Sequence, residues 1–245
     1  MFHVEHCQPA FNICWLFSEG FLNFPCFVFG SDILGKKEAK TMKNYLMIGY
    51  EAAASLLPWA AVYFAGGRNR SRLSRGERRK RLVFYLVWAV YICVVLYFTG
   101  AGTLYDIFLH GMNGGEQINL LPFSRTIDWT AYFLNIVLFI PLGILLPAVS
   151  AKVRLPDVLL AGGFFSLLIE LSQLFNNRST DIDDLLLNML GALLGYLVWK
   201  IWTAVTGWKG LDCQWTEPVL YFVVMMAGRF LFYNEIGLAA ILYGF

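Results

Sequence analysis

"RNRSRLSRGERRKRLVFYLVWAVYICVVLYFTGAGTL", Arg68 to Leu104, decides the fold. Its first part, Arg68 to Arg81, holds Arg68, Arg70, Arg72, Arg75, Arg78, Arg79, Lys80 and Arg81, with Glu77 as its one acid. The rest, from Leu82, holds no charged residue. About 20 apolar residues in a helix cross the hydrocarbon core of a bilayer. A basic run directly before such a segment marks a cytoplasmic flank, because positive charge is retained on that side. The run could also bind nucleic acid, but beside a membrane span the loop reading is the simpler one and no nucleic-acid partner is assigned.

The whole chain supports the membrane reading. Of 245 residues, 58% are hydrophobic and 15% charged, with a mean hydropathy of +0.58. A soluble domain carries about 25% charge. Further apolar segments fall at 44–66, 129–149, 157–176, 183–205 and 217–233. With 82–104 they predict an all-α, polytopic transmembrane bundle of five to six spans. The short alternating strands of a β-barrel are absent. With the loop 67–81 in the cytoplasm, the count puts 105–128 and the loop 176–184 outside. Lys152, Arg154, Lys200 and Lys209 then fall inside, as the charge rule requires. The chain is therefore expected to be a multi-pass membrane protein.

Residues 1–41 differ from the rest. "FNICWLFSEGFLNFPCFVFG" is aromatic-rich but broken by Glu19, Asn23 and Pro25. It has neither a basic leader nor a small-residue cleavage site. The expectation is that 1–41 is an extension, that Met42 is the natural start, that 42–205 form the membrane domain, and that 206–245 add a further span and a short outer tail. Five cysteines show no metal-ligand or disulfide spacing, and "HVEHC" at the start lacks a fourth ligand. No metal site or cofactor is read from them.

The last third holds the polar signal. "NNRSTDIDDLLLNMLGALLGY" (Asn176 to Tyr196) places an arginine and three aspartates against an apolar run. Asp181, Asp184, Asn188, Gly191 and Gly195 are spaced 3, 4, 3 and 4, which is one stripe of a helix. Leu185, Leu186, Leu187, Leu190, Leu193 and Leu194 occupy the other faces, toward lipid or neighbouring helices. The glycines would admit a second helix closely. Asp181 is also a good N-cap, so capping alone accounts for part of the stripe. Ser166, Glu170, Gln173 and Asn177 form a similar stripe on the preceding helix. Glu170 falls about 9 Å below the outer end at 1.5 Å per residue. Glu51, Asn135 and Arg229 sit at comparable depth on three other helices. Such a layer suggests a hydrated cavity open to the outside, with Arg178 and Arg229 as counter-ions. Its bland alternative is an ion-pair network that locks the bundle.

Four elements in this order, "NLLPF" (Asn119 to Phe123), "NIVLFIPLG" (Asn135 to Gly143), "IELSQLF" (Ile169 to Phe175) and "RSTDIDDLLLNMLGALLGY" (Arg178 to Tyr196), resemble the VanZ-like family of bacterial membrane proteins. The resemblance covers about Met42 to Trp202. The family is named for a protein that gives low-level teicoplanin resistance, and the resemblance implies a cell-envelope setting without supplying a mechanism. Asn119, Arg125, Asn135, Glu170, Gln173, Arg178, Asp181, Asp184 and Asn188 are the candidate ligand-binding residues. Arg125 and Arg178 would meet phosphate or carboxylate. Asn135, Gln173 and Asn188 would orient the ligand. The partners expected are membrane lipid and a lipid-linked cell-wall precursor or lipoglycopeptide. A rival reading is an intramembrane hydrolase or transferase in which Asp181, Asp184 and Glu170 hold a divalent metal or act as acid and base. A small transporter is the third, weakened by the lack of repeated halves.

Overall fold

The computed structural model describes residues 31–66, 73–110, 118–124, 128–176 and 180–233, with side chains for the same residues except 31–43 and 108–110. The chain divides into two compact units, Met1–Leu46 and Met47–Phe245. The bundle belongs to the second.

The elements in chain order are α1 (Ser31–Ala65), α2 (Arg75–Thr99), α3 (Leu104–His110), β1 (Ile118–Asn119), α4 (Trp129–Val149), α5 (Leu155–Gln173, continued by a 3-10 turn to Asn176), β2 (Thr180–Asp181), α6 (Ile182–Thr206) and α7 (Thr216–Phe232). The all-α expectation holds. Among the described residues four stretches are long and apolar enough to cross a membrane: Arg75–Ile107, Trp129–Val149, Leu155–Asn176 and Ile182–Thr206. Many large apolar side chains face outward, among them Leu186, Leu190, Leu194, Val198 and Ile201 on α6. In water this would be an aggregation hazard. Against hydrocarbon it costs nothing.

Helix starts follow local chemistry. α2 begins seven residues before the expected 82 because Ser74 and Glu77 form a capping box, each side chain accepting from the other's backbone N–H. The last part of the basic run is therefore the first turns of α2. α2 stops at Gly100, whose φ of 59° is left-handed. Thr103 and Asp106 start α3 by the same reciprocal bonding.

α4 and α6 make the largest helix pair, and glycine is the reason. A Cβ on Gly191 would lie 2.2 Å from the Ile136 carbonyl oxygen, and one on Gly195 2.0 Å from that of Ile140. Gly143 answers from α4, 2.0 Å from the Ala192 carbonyl oxygen. α5 packs beside α6, with Gly162 against Ala192. α7 packs on α2 and α5: Trp88 donates to the Pro218 carbonyl at 3.1 Å, and Phe165 stacks on Phe222 at 3.7 Å.

The bundle has a basic end and an acidic end. Arg75 to Arg81 lie in the first turns of α2, Lys152 and Arg154 in the α4–α5 turn, Lys200 in the last two turns of α6 and Lys209 in the α6–α7 connection. That connection is tied down by Leu211 and Cys213 N–H groups on the carbonyls of Ala148 and Val149, and by Arg81 on the Asp212 carbonyl. The opposite end holds the junction of α5 with α6 and the start of α4.

A carboxylate and amide cluster at the α5–α6 junction

β1 and β2 pair in parallel, Ile118 with Thr180 and Asn119 with Asp181. This two-residue bridge brings the "NLLPF" segment to the acidic start of α6, from about sixty residues away in the chain. Asn119 Nδ2 donates to Asp181 Oδ2 at 3.1 Å. Its own Oδ1 accepts from the Leu121 N–H and the Ser124 hydroxyl, which folds the segment into a turn. Phe123 closes that turn at a φ of 54°, a conformation most side chains avoid.

Asp181 caps α6 by accepting from the Asp183 N–H at 3.1 Å. Its backbone N–H points to Glu170 Oε2 at 3.4 Å, and Thr180 donates to the Glu170 carbonyl. Asp184 accepts from Asn135 Nδ2 across the α4–α6 interface. One turn deeper, Asn188 Nδ2 donates to Ser166 Oγ at 2.9 Å. Ser166, Glu170 and Asn188 are all buried. Asn188 Oδ1 is buried with no partner among the described residues. An open amide oxygen in such a place costs on the order of 1–3 kcal/mol.

Six of the nine candidates thus gather at this junction in three hydrogen-bonded sets: Asn119 with Asp181 and Glu170, Asn135 with Asp184, and Asn188 with Ser166. Gln173 turns away from it and donates to the Thr99 carbonyl at 2.7 Å. Arg125 and Arg178 lie outside the described residues. Glu51 and Arg229, read as members of the same layer, instead form a buried ion pair of 2.8 Å between α1 and α7.

Asp183 is the residue the stripe argument passed over. It is the most buried acid of the cluster at 2% exposure. Its carboxylate accepts from the Phe123 N–H at 2.8 Å and from the Tyr132 hydroxyl, and so pins the Asn119–Phe123 segment and α4 to α6. Hydrogen bonds to a charged group contribute about 1.5–3 kcal/mol each. The sequence signal was present in "DIDD": both adjacent acids reach α4, Asp183 through Tyr132 and Asp184 through Asn135. Helical spacing alone favoured Asp184.

Chemically, the cluster is a patch of oxygen acceptors with amide donors interleaved. Among the described residues no group of three or more His, Cys, Asp or Glu side chains is placed to hold a metal ion. The carboxylates are strung along the junction, each with its own donor.

Residues 83–203 match the family model described as VanZ/LLP1. Over that stretch the chain belongs to the VanZ/LLP1 family. No curated protein and no solved structure matches it. The family region runs from the third turn of α2 to the last turn of α6, so it contains the entire cluster. α1 and α7, with the Glu51–Arg229 pair, fall outside it.

Proposed function

We propose that the chain binds an amphipathic envelope ligand, a lipid-linked cell-wall precursor or a lipoglycopeptide, and thereby alters glycopeptide susceptibility. One observation carries this reading: four carboxylates and three amides gather at one end of a bundle whose outer surface is apolar. Such a patch meets the hydroxyl, amide and ammonium groups of a head while lipid surrounds its tail. The open acceptor on Asn188 fits the same role. It stands one turn below Asp184, and side chains on a helix lean toward its N-terminus, here toward the cluster. The exposed Leu120, Leu121 and Phe123 beside the cluster suit a lipid–water boundary.

The reading needs the cluster on the extracytoplasmic side, with the basic end in the cytoplasm. In a background without native cysteines, Ser124→Cys should react with a membrane-impermeant thiol reagent in intact cells, and Arg75→Cys should not. Labelling of Arg75→Cys alone inverts the orientation.

The ligand site is tested by removing charge while keeping shape. Asp181→Asn preserves the cap, because asparagine caps as well as aspartate. Glu170→Gln and Asp184→Asn keep an acceptor for the Asp181 N–H and for Asn135. Each should cost about 1 kcal/mol of stability or less. All three should insert at wild-type abundance, yet return a host protected by the wild-type protein to the teicoplanin susceptibility of an empty-vector control. Leu190→Ala, on the lipid-facing side, should retain protection. Full protection by all three carboxamide variants leaves the cluster as a well-capped junction and defeats the reading.

A further inference from the structure

α1 meets the other helices at two levels. Gly228 of α7 lies against it, where an added Cβ would come within 2.5 Å of the Ala54 carbonyl oxygen and 2.7 Å of Pro58. Nearer the basic end, Trp59 and Tyr63 join the rings of Tyr85 and Tyr221. Toward the other end α1 and α2 enclose a cavity of about 300 Å³. Its walls are Ile48, Ala52 and Leu56 on α1 and Val90, Val94 and Phe98 on α2. Ile48, Val90 and Val94 are also exposed at the surface, so the cavity opens sideways.

We infer that this cavity holds one hydrocarbon chain of a membrane phospholipid. From Ile48 to Leu56 it runs about 12 Å along the helix at 1.5 Å per residue. One leaflet of hydrocarbon is about 15 Å deep, half of the roughly 30 Å core. A slot of that length, parallel to the helices, fits an extended chain from one leaflet. Its wall is apolar, so water does not fill it. Glu51 borders the cavity, but its carboxylate is committed to Arg229. The family match starts at residue 83, so α1 is outside it, and the chain fills the wedge between α1 and the family region. It also keeps water from the Glu51–Arg229 pair, whose attraction depends on a low local dielectric. This site is separate from the α5–α6 cluster and does not depend on the ligand proposed there.

Cys93 also borders the cavity and supplies a native probe. The test uses the full chain in mild detergent, with dioleoyl and dihexanoyl phosphatidylglycerol as the two additives. Expected are a retained phospholipid in native mass spectra, a thermal midpoint raised by the dioleoyl lipid, and Cys93 alkylation by an alkyl maleimide slowed several-fold. The dihexanoyl lipid, with the same head and short chains, should protect far less. Ala52→Phe and Val94→Phe fill the cavity from opposite walls. Each should remove the lipid adduct and the lipid dependence, with a lipid-free midpoint no lower than wild type. If one variant fails to fold, the other decides. Equal protection by both lipids, no protection in wild type, or an undiminished adduct in a folded filled variant overturns the inference.

Discussion

Gly195→Val should leave almost no folded protein. Overpacking a core costs typically 1–3 kcal/mol when the neighbours are side chains that can give way. At Gly195 the neighbour is backbone: an added Cβ lies 2.0 Å from the Ile140 carbonyl oxygen and 2.9 Å from the Cα of Gly143. No rotamer change relieves that. α4 must move off α6 along its length, and the Asn135–Asp184 and Tyr132–Asp183 bonds part with it. A loss above about 3 kcal/mol removes much of the 5–15 kcal/mol that holds a typical domain. Size-exclusion recovery and the thermal midpoint in detergent measure it. Gly163→Ala is the matched control on α5, because its Cβ would meet the flexible Met189 side chain, at an ordinary 3.4 Å from the sulfur. A Gly195→Val protein with the wild-type midpoint would show that the α4–α6 contact is looser than described.

That interface was largely legible in the sequence. The 3-4 spacing from Asp181 to Gly195 put acid, amide and glycine on one face, and the structure presents that face to the bundle. What spacing could not supply was the partner. Asp184 finds Asn135 and Gly195 finds Ile140 because α4 lies against α6, and pairing between helices leaves no trace in either period. The β1–β2 bridge was illegible for another reason: two residues per strand carry no alternation. With it went the route by which Asn119 reaches Asp181 and Phe123 reaches Asp183. The depth argument placed Glu51, Glu170 and Arg229 at one end, and all three do sit there. Depth fixes height along the membrane normal but not position around the bundle. Two of the three therefore belong to a different contact, between α1 and α7.

Arg229→Leu should be the most damaging single change at that second contact. Arg229 is 5% exposed, and its guanidinium donates to Glu51 and to the Ala101 carbonyl and lies 5.1 Å from the centre of the Tyr233 ring. Removing it strands the Glu51 carboxylate in an apolar site, and breaking a buried pair from one side costs about 3–5 kcal/mol. It also strips a donor from the end of α2, where Gln173 and Asn176 hold the two preceding carbonyls. Glu51→Leu should cost less, because Arg229 keeps the Ala101 carbonyl and the Tyr233 ring. The double variant Glu51→Leu/Arg229→Leu decides between two views of the pair. Replacing both charges with apolar groups of similar size is often neutral or better, so the double should recover most of the Arg229→Leu loss. Midpoints of the four proteins give the coupling directly. Additive losses would mean that Arg229 acts through Ala101 and Tyr233 alone. A recovered double would mean that the ion pair specifies how α1 meets α7 while adding little to stability, so a purely apolar α1–α7 contact would hold α1 as firmly.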